Sequence, residues 1–217
     1  MPRRADPDVR AALVAAATRL LAGEGRQALS TRRLAAEVGT STMAVYTHFG
    51  SMERLQQEVR REGFARLCGE IDAIARTEDP VADLAAVTLA YVEAGTRDPQ
   101  LYRALFVDRP PGEPDEGSGV FERLLAAVQR CIEVGRFQPA EPTLARAWAG
   151  QIWMSGHGVI TLAQTAMLSE DANRFLLTDM IYRLAIGYGD GPAAAGRSIR
   201  HAADASPRAR VPSDPPR

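Results

Sequence analysis

The sequence predicts an all-α protein, in which a three-helix N-terminal head precedes a larger helical domain. Apolar residues recur at helical spacing along most of the chain, and no segment shows the period of two that a half-buried strand requires. Asp-Pro pairs at 6–7, 79–80 and 98–99 each place a capping carboxylate before a proline, which is typical of a helix start. With 46% hydrophobic residues among 217, the chain can bury a core of moderate size.

The first helix is predicted to begin at residues 6–7 and to end at Gly23 or Gly25. Its apolar residues form one stripe, which consists of Val9, Leu13, Ala16, Ala17, Leu20 and Leu21. Such a stripe covers one face of a helix and has to be buried against other elements. We therefore expect this helix to pack against the two short helices that follow it.

Residues 30–49 are the most informative stretch of the chain. Ser30 is a good N-cap for a short helix, and Gly39 can supply the left-handed turn residue that ends it. Ser41 then caps a second helix, which extends to Phe49. Two helices joined by a short turn with glycine form the helix-turn-helix pattern, whose second helix enters the major groove of DNA. The pattern predicts a DNA-binding head.

Four short motifs in this stretch match the pattern of a known family. These motifs are Ser30-Thr31-Arg32-Arg33-Leu34-Ala35, Val38-Gly39, Ser41 and Val45-Tyr46-Thr47-His48-Phe49. Through them the head resembles the tetracycline-repressor (TetR) family of bacterial transcription regulators. Two positions depart from the family pattern, because Thr40 stands where a valine is usual and Met52 where a lysine usually holds a DNA phosphate. The second departure implies weaker or more salt-sensitive DNA anchoring rather than a different function.

The resemblance implies that residues of this motif bind DNA, and they are Thr31, Arg32, Ser41, Thr42, Met43, Ala44, Tyr46, Thr47 and His48. Arg32 can reach a base edge or a phosphate, and a guanidinium paired with guanine contributes about 1–3 kcal/mol of discrimination. Met43 and Ala44 can contact thymine methyl groups, while Tyr46 and His48 stand where the family holds phosphates. For two of these residues an alternative to DNA contact stays open. Arg32 could be a solvated surface residue, and His48 could be a histidine that packs in the protein.

The rest of the chain is predicted to be helical as far as residue 188. A connector helix extends from Ser51 to about Arg76, and further helices follow at about 80–96, 99–107, 119–135, 143–168 and 170–188. The loop over 108–119 holds three prolines, three glycines and four acidic residues, and we expect it to be exposed and mobile. The predicted domains are a DNA-binding domain over 1–50, a regulatory and dimerisation domain over 51–189, and a disordered tail over 190–217.

Residues 147–168 contain no charged side chain over 22 positions, a length that could span a membrane. The segment also holds three glycines and several polar residues, among them Gln151 and Gln164, which a lipid-facing helix tolerates poorly. It therefore predicts a helix buried by its own domain on one face and by a second copy of the chain on another. In the TetR family the last two helices form a dimer interface, and here they would lie at about 143–168 and 170–188.

The sequence says less about a sensing site for a small-molecule ligand than about the DNA-binding motif. Ligand sites in helical domains are mostly apolar cavities with a few polar groups. Candidate lining residues, each of which could instead be ordinary core, are Tyr91, Tyr102, Phe106, Phe121, Leu125, Trp148, Trp153, Met154 and His157. Residues 153–158 also resemble the Trp-His-Gly signature of one subgroup of TetR C-terminal domains. His157 is the one titratable group of the uncharged segment, so it predicts either a hydrogen bond to a ligand or a buried, satisfied histidine.

Charge and composition narrow the function class. The first 60 residues hold nine arginines against six acids, whereas residues 61–189 hold twelve against eighteen, as suits a DNA reader with a separate sensing domain. Cys68 and Cys131 lack metal-ligand spacing, and no apolar segment follows Arg3-Arg4, so we expect a cytoplasmic protein without a secretory signal. No nucleophile with a base, metal cluster or phosphate-binding glycine loop is apparent, so we expect no catalysis, cofactor or metal.

The residues and the resemblance together predict a homodimer that binds a palindromic operator with two recognition helices about 34 Å apart. A small-molecule effector in the helical body would change this spacing and release the DNA, which makes repression the expected output. The competing hypothesis is a dimeric helical ligand-binding or scaffold protein whose head has lost specific DNA reading. Met52 and the modest charge asymmetry favour that alternative.

Overall fold

The computed structural model describes residues 7–108 and 117–205, and every regular element in this part of the chain is helical. The helices are α1 (Pro7–Glu24), α2 (Thr31–Val38), α3 (Thr42–Phe49), α4 (Met52–Asp72), α5 (Pro80–Arg97), α6 (Pro99–Tyr102), α7 (Ser118–Glu133), α8 (Pro142–Gln164), α9 (Glu170–Gly187) and α10 (Pro192–Ala205). A 3-10 turn (Arg26–Ala28) follows α1, and α6 continues into a π-helical turn (Arg103–Val107). The predicted all-α fold class is confirmed. The mobile loop predicted over 108–119 lies mostly outside the described residues.

The described residues form two compact units. Those up to Arg66 and those between Arg97 and Gly117 belong to the first unit, whereas Leu67–Thr96 and the residues from Ser118 onward belong to the second. Helix α4 therefore contributes its first part to one unit and its last residues to the other. The domain boundaries predicted after residues 50 and 189 stay predictions.

The first unit has an apolar core to which α1, α2, α3 and α4 each contribute one face. Its most buried members, at most 1% exposed, are Leu13, Ala16, Ala17, Leu34, Val45, Leu55 and Val59. Burying one Val or Leu side chain contributes about 1.5–3 kcal/mol. Helices α2 and α3 have eight residues each, so they depend on this core rather than on their own hydrogen bonds.

The core of the second unit contains a group of three aromatic rings. The rings of Trp148 and Tyr188 stack with centroids 4.5 Å apart, and Phe137 meets both of them edge-on. The Tyr188 hydroxyl donates a hydrogen bond to Oε1 of Gln151 at 2.7 Å. Because this buried hydroxyl has an acceptor, the large ring area is buried without leaving a polar group unsatisfied. Trp148 is therefore a core residue of this unit.

Helix α8 contains most of the uncharged segment and has two different faces. One face is buried within the second unit, through Ile152, Val159 and Ile160, while Met154 and Leu162 are exposed on the other. Among the described residues, no helix combines the length and the apolar character that crossing a membrane requires.

Residues 192–205 form α10, so the predicted disordered tail over 190–217 is wrong for this stretch. Helix α10 packs along α9. Its buried face consists of Ala195, Ser198, Ile199 and Ala202. Alanine is the strongest helix former and needs little space against a neighbour, so an Ala-rich composition can conceal an amphipathic helix. Residues 206–217 of the predicted tail lie outside the described residues.

A buried ionic network fastens α10 to the rest of the second unit. The Arg136 guanidinium donates two hydrogen bonds to Asp190, from Nε at 2.8 Å and from Nη2 at 2.7 Å. It also donates from Nη1 to Asp79 at 2.9 Å, and Asp79 accepts at 2.6 Å from the hydroxyl of Ser198 on α10. The Asp190 side chain is 3% exposed, so its charge depends on this guanidinium for compensation.

We predict that Asp190→Asn lowers the free energy of unfolding by about 3 kcal/mol, because the largely buried Arg136 charge then loses a carboxylate partner. Asp179→Asn is the matched control, since it breaks the more exposed pair with Arg183 on α9 and should change stability far less. Urea unfolding at neutral pH, followed by circular dichroism, measures both values. An equal loss in the two variants would contradict the role given to the network.

Candidate functional site

The turn between α2 and α3 has the geometry that the sequence predicts. The hydroxyl oxygen of Ser30 accepts a hydrogen bond from the Arg33 amide at 3.3 Å, and that of Ser41 accepts one from the Ala44 amide at 3.2 Å. Gly39 has φ 71° and ψ 33°, the left-handed conformation that ends α2 within one residue. Because both caps supply acceptors to amides that lack partners within their helices, the two short helices have defined starts.

Helix α3 presents one face to the head core and the other to solvent. Val45 and Phe49 are buried in the core, whereas Met43 is 70% exposed and Tyr46 48% exposed. The predicted DNA-binding residues that are exposed are Arg32, Ser41, Thr42, Met43, Tyr46 and Thr47. Those that are half-buried are Thr31, Ala44 and His48. A solvent-facing strip along α3 is therefore available to a groove of DNA, and the individual contacts stay predictions.

Arg32 and Arg33 are adjacent and exposed, but they differ in what they contact. The Arg33 guanidinium forms an ion pair with Glu24 of α1, with 2.8 Å between Nη2 and Oε1. Arg32 forms no ion pair with any residue in 7–108 or 117–205. Its charge is therefore not compensated by any described residue, while that of Arg33 is partly compensated.

His48 and Met52 lie partly against the head core. The Nδ1 atom of His48 is buried without a hydrogen-bond partner among the described residues, and the His48 ring centroid lies 6.3 Å from that of Phe49. Met52, the first residue of α4, is half-buried and packs against the same core. Packing therefore accounts for an apolar residue at position 52, where the family pattern has a lysine.

In the second unit, one turn of α8 encloses the ring of Tyr91 on α5. Trp153 stacks on Tyr91 with ring centroids 4.8 Å apart, and the Tyr91 hydroxyl lies 3.1 Å from the nearest ring nitrogen of His157. Gly156 allows this approach, because a Cβ at that position would lie 3.1 Å from Cε1 of Tyr91. Three of the predicted ligand residues are thus brought together, with ring contacts among all three and a hydrogen bond between Tyr91 and His157.

The space beside this aromatic cluster is small. A cavity lined by Thr88, Tyr91 and Trp153, among others, has a volume of about 10 Å³, which is close to the minimum for one water molecule. A second cavity of about 260 Å³ lies among α5, α8 and α9. None of the ligand residues proposed from the sequence lines this larger cavity.

The remaining ligand candidates belong to different parts of the two units. Phe121 meets Trp153 edge-on with centroids 5.9 Å apart, and Leu125 is buried in the core of the same unit. Met154 is exposed on α8. Tyr102 and Phe106 belong to the first unit and pack against each other with centroids 5.1 Å apart. As ligand contacts, all the residues proposed from the sequence stay predictions.

Sequence reasoning missed the polar residues that line the larger cavity, among them Glu93, Asn173 and Arg174. Glu93 on α5 and Arg174 on α9 form an ion pair with 3.4 Å between Oε1 and Nη1. Asn173 precedes Arg174 on α9 and is 7% exposed. The two helices are far apart in sequence, and neither carries a motif that could have indicated the pairing.

Burial lowers the pKa of His157 below its ordinary value of 6.5, so the ring is neutral at neutral pH. The unfolded chain then takes up a proton at a higher pH than the folded chain does. The free energy of unfolding is therefore fully maintained above about pH 6.5 and decreases as the pH falls from there toward the folded pKa.

We predict that His157→Gln decreases this pH dependence, so that the variant loses less unfolding free energy than the parent chain between about pH 7.5 and 5.5. Urea unfolding at a series of pH values measures the slope. His201→Gln, on the exposed face of α10, is the matched control and should keep the parent slope. Identical slopes in the parent chain and the His157 variant would contradict the prediction.

The chain matches two family descriptions along its length. Residues 13–59 match the bacterial regulatory proteins of the tetR family, and residues 84–184 match a C-terminal domain described as tetracyclin repressor-like. The two matches together cover more than half of the chain. The likeness of residues 153–158 to a Trp-His-Gly subgroup stays a prediction.

Individual relatives are more distant. The nucleoid occlusion factor SlmA of Escherichia coli O1:K1 / APEC is 31% identical over 127 residues, which cover 56% of the chain and 64% of SlmA. The chain thus spans less than two thirds of the curated relatives' length. A structure of a protein with unknown function from Rhodococcus sp. RHA1 has a TM-score of 0.75 at 23% identity, covering 88% of this chain and 100% of that one.

A structure of RolR in complex with the ligand resorcinol has a TM-score of 0.62 at 19% identity, covering 89% of this chain and 93% of RolR. At these identities the two structures show a shared fold. The family matches include both the helix-turn-helix motif and most of the helical body. The chain belongs to the TetR family of bacterial regulatory proteins.

Proposed function

We propose that this protein is a sequence-specific DNA-binding transcriptional regulator that represses transcription in the cytoplasm by occupying a palindromic operator as a homodimer. The observation that carries the proposal is the capped α2–α3 motif, in which α3 buries Val45 and Phe49 and exposes Met43 and Tyr46. Membership of the TetR family supports this reading. Two copies of α3 would enter successive major grooves about 34 Å apart.

The contacts to DNA divide into two kinds. Arg32, whose charge is not compensated by a described residue, is placed to pair with a guanine or a phosphate at the start of α2. Met43 offers an apolar contact for a thymine methyl group, and Tyr46 a hydroxyl for a phosphate. A contact of Arg32 with guanine and of Met43 with thymine would read sequence, while the phosphate contact of Tyr46 would fix the register of the motif on the duplex.

Dimerisation through α8 and α9 is supported by the apolar side chains that these helices leave exposed. They are Met154 and Leu162 on α8, and Phe175, Leu176 and Met180 on α9. Phe175 is 68% exposed, which is costly for a side chain of its size unless a partner covers it. A second copy of the chain related by two-fold symmetry would present the same face and cover these side chains.

Release from the operator by a small molecule is the second part of the proposal. RolR, which shares the fold, has been solved with resorcinol, and the second unit of this chain contains a cavity of about 260 Å³. A coupling of about 1–3 kcal/mol between ligand and DNA binding changes operator affinity by roughly 5- to 150-fold, which is sufficient for a switch.

We predict that Arg32→Ala weakens binding to the operator by roughly 5- to 150-fold, because a guanidinium–guanine pair contributes about 1–3 kcal/mol. Arg33→Ala is the matched control, since its charge is already paired with Glu24, and it should weaken binding by less than about fivefold. The operator is selected from random duplexes by repeated binding, and fluorescence anisotropy with excess competitor DNA gives the affinities.

The same experiment separates the proposal from its competitor. If no sequence is enriched and excess competitor DNA abolishes binding to the labelled duplex, the head attracts only phosphates. A dimeric ligand-binding or scaffold protein then becomes the better description. If a sequence is enriched but both arginine variants bind it equally well, the regulator stands and the assignment of Arg32 is wrong.

We predict that Phe175→Glu converts the dimer to a monomer and abolishes high-affinity operator binding, because a charge introduced into the proposed α8–α9 interface cannot be buried without a partner. Val134→Glu introduces the same charge at a residue that is 58% exposed and lies outside both helices, so it should leave the dimer intact. Sedimentation equilibrium measures the mass. A dimeric Phe175 variant would exclude this face as the interface.

A further inference from the structure

The solvent-facing strip of α3 ends at a residue without a side chain. Met43, Tyr46 and Thr47 are exposed and share one face of the helix, because residues three and four apart are neighbours on a helix surface. Gly50 continues this spacing, and its amide donates a hydrogen bond to the carbonyl of Tyr46 at 2.8 Å. A side-chain contact to DNA at this end of the strip therefore has to come from another residue.

Arg54 places its side chain at this end of the strip. A Cβ at Gly50 would lie 3.7 Å from Nη1 of Arg54, so the guanidinium lies against the last residue after α3. The hydroxyl oxygen of Ser51 accepts a hydrogen bond from the Arg54 amide at 3.3 Å, which fixes Arg54 in the first turn of α4. Side chains of a helix point toward its N-terminus, so an arginine in this turn extends back over the residues that precede α4.

The charge of Arg54 is not compensated within the described part of the chain. Arg54 is exposed and forms no ion pair with any residue in 7–108 or 117–205. The acidic residues within four positions of it are Glu53 and Glu58. Glu58 pairs with Arg10 and with Arg61, at 3.0 Å in both cases. A hydrogen bond from its own backbone amide lowers the pKa of the Glu53 carboxyl, so this group interacts with the start of α4.

The same turn of α4 lacks a cation at the position where the family pattern has one. Met52 packs against the head core, and a thioether has no hydrogen-bond donor for a phosphate. Arg54 follows two residues later, and a guanidinium can donate two parallel hydrogen bonds to one phosphate. The exposed guanidinium thus offers at the end of α3 the kind of contact that Met52 cannot make.

We propose that Arg54 binds a phosphate of the DNA backbone at the end of α3, next to the contact of Tyr46, and supplies the anchor that Met52 lacks. This assignment rests on the proposed function, since it adds a contact to the same DNA-binding motif. A phosphate contact carries no sequence information directly, so Arg54 stabilises the complexes with operator and with other duplexes alike. The loss of a base-reading side chain, in contrast, weakens the operator complex selectively.

The test compares the full chain with its Arg54→Gln variant on the selected operator and on a random-sequence duplex. Fluorescence anisotropy gives the association constant between about 50 and 200 mM salt. Each phosphate contact contributes about 0.9 to the slope of log K against log salt, so a variant dimer should lose about 1.8 on both duplexes. Its deficit relative to the parent should therefore shrink by roughly tenfold over this salt range.

Two further variants separate a phosphate contact from a structural role. Arg61→Gln is the matched control, because it removes the same charge from the same helix but at a residue that already pairs with Glu58, and it should keep the parent slope. Arg54→Lys retains a cation for the phosphate and should also keep that slope. A cation near the end of α3 can also stabilise the helix through its dipole, and this role would weaken binding at an unchanged slope. An unchanged slope in Arg54→Gln, or an equal decrease in Arg61→Gln, would overturn the proposal.

Operator duplexes with one neutral methylphosphonate at a time locate the contact. At one phosphate in each half-site, the substitution should weaken binding of the parent chain and leave binding of the Arg54→Gln variant unchanged. The variant lacks the guanidinium that this phosphate binds, so it has nothing further to lose there. A variant that stays as sensitive as the parent at every position would exclude a contact between Arg54 and DNA.

The two duplexes also separate this proposal from the function on which it rests. A chain that selects an operator, but whose salt slope is the same in Arg54→Gln, contradicts the phosphate contact and leaves the regulator intact. A chain that selects no operator, but whose slope on the random-sequence duplex decreases in Arg54→Gln, supports the contact and contradicts the regulator.

Discussion

The second unit depends on a single guanidinium. Arg136 bonds carboxylates from two separate parts of the chain, Asp79 before α5 and Asp190 before α10, and Ser198 bonds Asp79 from α10 itself. Desolvation raises the pKa of Asp79, but the hydrogen bonds from Ser198 and from backbone amides, together with the Arg136 charge, outweigh it and hold the pKa below its ordinary value of 3.8. The Asp79 carboxylate is therefore charged at neutral pH, and its own contribution to stability is lost only as the pH falls below about 3.8 toward its folded pKa.

The network also helps to position α9, because α10 packs along α9 and is held by Arg136. A second tie is the hydrogen bond from Arg174 on α9 to the carbonyl of Ala203 on α10. With α10 on one side, α9 presents Asn173 to the cavity and Phe175 to solvent. One helix thus lines the cavity and carries the exposed apolar side chain of the proposed dimer, so the cavity and the proposed dimer face share a common element.

The parts of the fold that were predictable have signals within a few residues. Ser30, Gly39 and Ser41 act on amides and turns next to them, so the helix-turn-helix could be placed from sequence. Helix α10 could not be placed from sequence, since its small residues each bury little area. Its attachment to the second unit also involves Arg136, which lies more than fifty residues earlier in the chain. The polar wall of the cavity was also hidden, because Glu93 and Asn173 come from helices far apart in the chain. Aromatic residues could be selected by type, but their grouping depended on which helices face each other.

Helix α3 has only eight residues, and this length has a consequence for temperature. An isolated helix shorter than about 12–15 residues is marginally stable in water, so α3 keeps its shape only while Val45 and Phe49 remain in the head core. The solvent-facing strip of α3 is therefore not stable as a helix by itself, and local unfolding of the head abolishes it. Operator affinity in the proposed regulator is coupled to the folding equilibrium of the head, and warming weakens both together, whether or not an effector is bound.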